Sequence, residues 1–378
     1  DEWNIRDAYV TRAGSDERII DFRRSNLHVV GYSEPIDRVM SLEELRPHLH
    51  SLPDRPTLVP YRTSYYQRTW GFCLSHDRLE SLEDVDYHVV IDSTLAPGRL
   101  DWAEHVALGT STDTVVLSTH ICHPSLCNDN LSGIAVLTEI ARRLADIPHR
   151  FTYRLLFIPA TIGSLAWLSA NVDSIDRIRG GLVLTGLGDQ SPFTYKRSRR
   201  GDAAIDRVVD VVMRDHAEAW RSTPFTPYGY DERQFCSPGF DLPFGRLTRG
   251  VHGEYPEYHT SADNPSFVDD AQLERSVERT LDIVHAFEAN RTYQSLSPMG
   301  EPQLGRRGLY SPMGGGIDQR SVEMGYLWVL NQSDGAHDLC DIAATSGLPI
   351  SSLALAAERL VDVGLLAVVD DVAMHTPP

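Results

Sequence analysis

No stretch of this sequence reaches about 18 consecutive apolar residues, the length a membrane-spanning helix needs, so the chain is expected to stay out of the bilayer. Cysteine is sparse and shows no framework. Cys73, Cys122, Cys127, Cys236 and Cys340 are odd in number and irregular in spacing, which points to a reducing cytoplasm rather than secretion. Positive charge is also short: 35 Lys and Arg face 53 Asp and Glu, for a net charge of −18. Such a surface repels phosphate backbones, so nucleic acid is not an expected partner. The opening DEWNIRDAYV is neither a leader nor an initiator sequence. The chain is therefore expected to start inside a longer gene product, with a preceding core segment missing.

What is present suits a globular chain. The 378 residues are enough for two or three domains. Residues 1–108 carry short β-like runs, Leu27–Tyr32, Thr57–Tyr61, Thr69–Leu74 and Tyr87–Asp92, punctuated by Pro53, Pro56, Pro60 and Pro97. Many short strands between turns suggest a small β domain. Residues 109–300 alternate strand-like and helix-like runs. The strands are Thr114–Thr119, Tyr153–Pro159 and Gly181–Thr185. The helices are Ile134–Ala145, Leu165–Val172, Ala203–His216 and Ala271–Asn290. This order predicts an α/β domain with a mostly parallel sheet covered on both faces.

Residues 291–317, rich in Ser, Pro and Gly, read as a connector. Residues 306–378 follow with three helix-like runs and a short strand, the order of a winged helix. That segment holds four Arg or Lys against nine acidic residues. A groove-reading helix needs the opposite sign, so packing or homo-oligomerisation is the expected role.

The chemistry concentrates in Thr119–Gly133, THICHPSLCNDNLSG, between an apolar strand and an apolar helix. Open α/β sheets bind ligands at the carboxyl ends of their strands, and imidazole and carboxylate are ligands of catalytic zinc. His123, which emerges on the loop, is the first candidate there and His120 the alternative. Asp129 competes with an N-cap role. Cys122 and Cys127 flank His123, but no second close cysteine pair completes a structural zinc site. A second acid-rich stretch, EYPEYHTSADN, adds Glu257, Tyr258 and His259. Asp231, Glu232 and Arg233 lie among aromatics and glycine, as at a pocket rim. Asp189 follows a strand. Lys196, Arg197, Arg199 and Arg200 form a basic run, either a solvated loop or an anion site for a substrate carboxylate.

These segments, with WNIRDAYV, SNLHVVGYS, SYYQRTWGFCLSH, FIPATIGS, ERQFCSPGF and NQSDGAHDLCDIA, resemble the zinc aminopeptidase-like superfamily. Within it they resemble the bacterial aminopeptidase-like subfamily, which has an inserted β domain and a C-terminal winged helix. The resemblance implies Zn²⁺ on His123 (or His120), Asp129 and His259. It implies one ion rather than two, because Thr161 stands where a second-metal glutamate is expected and Asp189 is the only remnant. It also implies a glutamate base at the position of Ala160. Alanine cannot accept a proton, and general-base help is worth roughly 10²–10⁴ in rate.

The expectation is a zinc-dependent amide hydrolase for a short peptide or aminoacyl small molecule, since a β domain over the site would exclude large proteins. Ala160 makes this chain either an inactivated variant or a natural ligand-binding pseudo-hydrolase; the intact surroundings favour the former. Asp231 is expected to orient a metal ligand. Glu232, Glu257 or Asp189 would hold a substrate ammonium, and Arg233 a carboxylate. An acyltransferase or cyclase on the same scaffold and a non-catalytic sensor are the rival readings.

Overall fold

The computed structural model describes residues 1–64, 67–123, 125–309 and 317–369, with side chains in the last segment from residue 322 onward. Residues 310–316 of the expected connector, and Asp370 and Asp371 of the acid count, lie outside the described residues.

In the first domain, strand β1 (Glu2–Arg12) pairs antiparallel with β2 (Arg18–Asp21). Strand β3 (Ile36–Ser41) lies at the opposite edge. The two-residue strands β4 (Leu49–His50) and β5 (Phe72–Cys73) pair in parallel beside this sheet. Strand β6 (Asp86–Ala96) joins β1 to β3, giving the order β2-β1-β6-β3. Alternation along β1 and β6 sends Ala8, Val10, Tyr87, Val89 and Ile91 into a core closed by Leu45 and Phe72.

The β domain is thus present, built only in part from the expected segments. Tyr87–Asp92 lies within β6 and Thr69–Leu74 contains β5, whereas Leu27–Tyr32 is a short 3₁₀ turn with two isolated bridges. Thr57–Tyr61 makes only a bridge at Pro60. Prolines 53, 56 and 60 cannot donate to a ladder, while the polar–apolar alternation of β1 fits a half-covered sheet.

The α/β domain begins with β7 (Ala103–Ala107), earlier than the expected boundary at residue 108. It continues with β8 (Thr114–His120), β9 (Thr152–Ile158), β10 (Ile178–Leu184), β11 (Phe193–Lys196), β12 (Trp220–Thr223) and β13 (Phe244–Thr248). Their order is β12-β11-β13-β10-β8-β9-β7. The central strands β13, β10, β8 and β9 are parallel, and the β11–β13 and β7–β9 pairings are antiparallel. The mostly parallel sheet is therefore as expected, with β7, β11, β12 and β13 not anticipated from the sequence.

Every residue of β8 is buried. Val115 and Leu117 pack under the helices Gly133–Leu144, Ala204–Asp215 and Asp270–Ala289, and Val116 packs with Trp167, Phe235 and Phe244 on the other face. Fully burying such a side chain contributes about 1.5–3 kcal/mol.

The winged helix starts within the expected connector. Strand β14 (Thr292–Ser295) lies between β15 (Asp334–Asp338) and β16 (Leu366–Val368). The helices Ile317–Gln332, Leu339–Ser346 and Ile350–Asp362 complete it. It shares a continuous apolar core with the α/β domain. Arg207 ion-pairs with Asp338, and Arg214 donates to the Ala343 carbonyl at 2.7 Å.

Gly181 shows how closely the central strands approach. A Cβ there would lie 2.4 Å from the Phe244 ring, which itself stacks on Phe235 at 3.9 Å. Gly181→Ala is expected to overpack this contact and destabilise the protein by about 1–3 kcal/mol, measured by denaturant unfolding. Unchanged stability would mean that the β10–β13 seam is slack.

Candidate metal centre

β8 delivers His120 at its carboxyl end, and the chain then turns through Cys127–Ser132 into the helix that begins at Gly133. Asp129 lies in that turn, 1% exposed. His120 Nε2 is 2.9 Å from Asp129 Oδ1, and His259 Nε2 is 3.0 Å from Oδ2. His123 Nε2 lies 4.0 Å from Oδ2. His120, His123 and Asp129 each offer a ligand atom within 4.8 Å of the others. The structure thus brings together both histidines of the first loop, and neither displaces the other. Asp129 caps no helix: the helix starts four residues later, at Gly133, with Ser132 at its cap position.

The loops are fastened by side chains on every side. Asp263 accepts backbone N–H bonds from Cys127 (3.1 Å), Asn128 (2.6 Å) and Asp129 (3.0 Å). Asn130 donates to Thr119 and to the His120 carbonyl, and accepts from the Gly186 N–H. Asn128 donates to Asp189 Oδ2 at 2.8 Å, and Asp189 also accepts from the N–H groups of Ser191 and Gly250. Asp189 is therefore engaged in holding loops, which accounts for it without a second metal or a substrate ammonium.

His259 is a non-glycine residue at φ +55°, a conformation that costs free energy and persists only where surroundings enforce it. The β domain supplies part of that enforcement. The Tyr61 N–H donates to the His259 carbonyl at 2.8 Å, and the Ser261 N–H to the Val59 carbonyl at 2.8 Å. The Tyr61 ring packs 5.3 Å from His123 and 5.0 Å from His259. Tyr258 stacks on His259 at 3.8 Å, and Tyr230 on His120 at 4.9 Å.

The electrostatics suit a cation. Burial would raise the Asp129 carboxyl, but hydrogen bonds from His120 and His259 more than offset it and hold the group well below the usual range. Burial pushes His123 down to about 4, so its ring is neutral and free to ligate. Tetrahedral zinc with bonds of about 2.0–2.1 Å sets its ligand atoms roughly 3.3 Å apart; the separations of 2.9, 3.0 and 4.0 Å bracket that edge. The residues present fit the ion. Cys122 does not add a thiolate: burial pushes its thiol up to about 12, and its Sγ lies 3.4 Å from His123 Nδ1.

Asp231 is wholly buried, and neither of its oxygens has a hydrogen-bond partner; His120 Nδ1 is likewise enclosed and unpartnered. Burial pushes Asp231 up to about 6, with the neighbouring Ser164 hydroxyl and His120 offsetting part of the effect. Ala160 follows β9, its carbonyl 3.9 Å from Cys122 Sγ. Glu257 accepts from Thr260 through its backbone carbonyl. Arg233 is half-buried, with an unpartnered Nε. Glu232 corrects an expectation. It is buried against Lys196 at 2.8 Å with Arg246 at 3.6 Å, and cationic surroundings of this kind disfavour a substrate ammonium.

Sequence reasoning missed Tyr61, Tyr230, Asp263 and Arg246. Of these, only Asp263 had a usable signal, an acid four residues after His259 in the same motif.

The fold and site define an aminopeptidase-like α/β protein with a C-terminal winged helix. Over residues 2–290 the chain belongs to the family DUF4910, described as a domain of unknown function, and residues 291–368 match a winged helix-turn-helix family. It is similar to a Clostridium acetobutylicum protein described as a polysaccharide biosynthesis protein with an aminopeptidase-like domain. The two are 46% identical over 368 residues, covering 97% of this chain and 84% of the relative. A crystal structure from Clostridium acetobutylicum, described as a peptidase, matches with a TM-score of 0.91 at 44% identity, over 97% of this chain and 84% of that one. The zinc aminopeptidase of Bacillus subtilis shares the fold at a TM-score of 0.54 and 13% identity, over 75% of this chain and 82% of that one. A peptidase M28 precursor from Shewanella amazonensis does so at 0.54 and 12%, over 76% and 81%. At the level of fold, the resemblance to the zinc aminopeptidase-like superfamily is borne out.

Two outcomes follow for the buried acids. Asp263→Ala leaves the Asn128 and Asp129 N–H groups without their acceptor and Cys127 with only the Asp263 carbonyl, and is expected to weaken zinc affinity by about 10–100-fold, read by competition with a chromophoric chelator. Unchanged affinity would mean that the loop holds itself. For Asp231, a folded value of about 6 against an ordinary 3.8 means that the folded state holds the proton more tightly. Its contribution to stability is present below about pH 4 and lost as pH rises through about 6. Relative to Asp231→Asn, the zinc-free native chain is expected to lose on the order of 3 kcal/mol across that window. A flat difference would contradict the burial.

Proposed function

We propose that this chain carries the metal site of a zinc-dependent amide hydrolase for a short peptide or aminoacyl small molecule, impaired here by Ala160. The observation that carries this is the convergence of His120, His123 and His259 on the single carboxylate of Asp129. In this reading those four residues hold the ion. When bound, zinc supplies Lewis acidity toward an amide carbonyl and draws a nucleophile from water at neutral pH.

The chain's own side chains do the rest. Asp231 orients His120 through the ring nitrogen that has no other partner, as carboxylates do behind metal-bound imidazoles. Tyr61, Tyr230 and Tyr258 wall the site with rings that limit water and fix the imidazole planes. The hydrogen bonds from the β domain to the His259 loop support a site reached by small substrates rather than folded proteins. At residue 160 a methyl group stands where a proton acceptor is required. The same residue favours a second reading, ligand binding without turnover.

Metal analysis and peptide-amide turnover on this chain and on Ala160→Glu test both. Each form is expected to bind about one zinc per chain, and the glutamate form to cleave roughly 10²–10⁴-fold faster. If both bind zinc and neither cleaves any amide, ligand binding replaces hydrolysis. If neither binds zinc, the metal-site reading fails.

A further inference from the structure

Beside the histidines lies a second group of buried charges. Lys196 is 2% exposed, Arg246 3% and Glu232 0%. Lys196 Nζ donates to Glu232 Oε1 at 2.8 Å and to the Tyr228 carbonyl at 2.7 Å. Arg246 Nη1 lies 3.6 Å from Glu232 Oε1 and 3.3 Å from His252 Nδ1. Among the described residues, Glu232 is the only carboxylate in ion-pair range of either cation. Two positive charges thus share one negative charge, and the Nε of Arg246 has no partner. An uncompensated buried cation is strongly destabilising unless something pairs with it. It stands out further in a chain of net charge −18.

The group lies close to the metal centre, beneath a single glycine. Gly229, at φ +148°, passes directly over it: a Cβ there would meet Glu232 Oε1 at 2.3 Å and both Arg246 Nη1 and Lys196 Nζ at 3.1 Å. The flanking Tyr228 is 68% exposed, and His252 is half-buried. Arg246 lies 5.5 Å from the centroid of Tyr230, whose other neighbour is His120. His252 reaches the same centre through Tyr258, which stacks on His259. Burial, and then the Arg246 charge, hold His252 below its ordinary value, in keeping with a positive potential around it.

We propose that a pocket with Lys196 and Arg246 at its base and Tyr228, Tyr230 and His252 at its mouth receives an anionic group of the substrate. The substrate class is then an amide that carries a carboxylate or phosphate near the scissile bond. A free ammonium, the group an aminopeptidase substrate presents, is disfavoured there. The pocket stands on its own residues; its tie to an amide substrate rests on the hydrolase reading above.

The test is calorimetric binding to the zinc-loaded full chain of hippurate, phenyl phosphate and benzylamine, with zinc content measured on every sample. Hippurate or phenyl phosphate is expected to bind, benzylamine is not, and the stronger of the two anions identifies the group. Arg246→Gln is expected to weaken anion binding by about 10-fold or more. Glu232→Gln removes the carboxylate charge paired with both cations and is expected to tighten it. Because the second variant acts in the opposite direction, mere damage to the fold cannot mimic the result if Arg246→Gln fails to fold. Binding of benzylamine in place of the anions, binding of none of the three, or a Glu232→Gln variant with unchanged or weaker anion affinity overturns the proposal. A chain that holds zinc but no anion fails this inference alone, and one that holds the anion but no zinc fails the metal reading alone.

Discussion

The constraint on which the rest of the site depends is the enclosed carboxylate of Asp129. A buried carboxylate is tolerated only when it is paired and hydrogen-bonded, and this one draws its partners from opposite ends of the domain. His120 and His259 are 139 positions apart by residue number, yet they take one oxygen each. The His120 contact closes within the segment that follows β8, but the His259 contact joins segments 130 positions apart, so the complete site is a product of the fold rather than of any one loop.

That dependence explains why so much polar material is buried around it. Asn128, Asn130 and Ser132 stitch the first loop to the turn after β10, and Asp263 clamps it from the far motif. Each of these groups would cost free energy if left unpaired. Together they leave the loop little freedom to drift. The β domain joins the same network through Val59, Tyr61 and Ser261, so the domain that covers the site also sets the backbone of one of its histidines.

What was legible in the sequence follows from this. The buried strands Val115–Leu117 and Leu155–Phe157 are apolar runs that only a covered sheet explains, and the loop THICHPSLCNDNLSG advertises its donors. The choice between His120 and His123 was not legible, because strand alternation says nothing of a carboxylate that both approach. Strand β14 was hidden by the Ser, Pro and Gly that follow it. Strands β11 and β12 have only four residues each and follow charged or polar turns. The pairing of Lys196 with Glu232, and the nearness of Arg246, are contacts between segments 36 and 50 positions from Lys196. Within the basic run, Lys196 is the one residue that the fold buries with a carboxylate beside the site; Arg197, Arg199 and Arg200 pair with Asp210 and Asp241 instead.

The absence of a proton acceptor at residue 160 invites the question whether another acid replaces it. Asp231 is the strongest alternative, since burial lifts its carboxyl toward neutrality. Position argues against it. A general base must reach the proton it removes, directly or through one water, and Asp231 has no exposed surface at all. Its charge is felt by His120, and it lies on the short helical turn that packs Phe235 into the core. Glu232 is no better placed, being neutralised by Lys196 and Arg246. Asp129, Asp189, Asp263 and Glu232 are therefore committed to holding imidazoles, loops or a cation. In the proposed hydrolase reading, binding and proton transfer fall to separate residues, so an alanine at residue 160 would leave the means of holding a ligand intact while removing the means of turning it over.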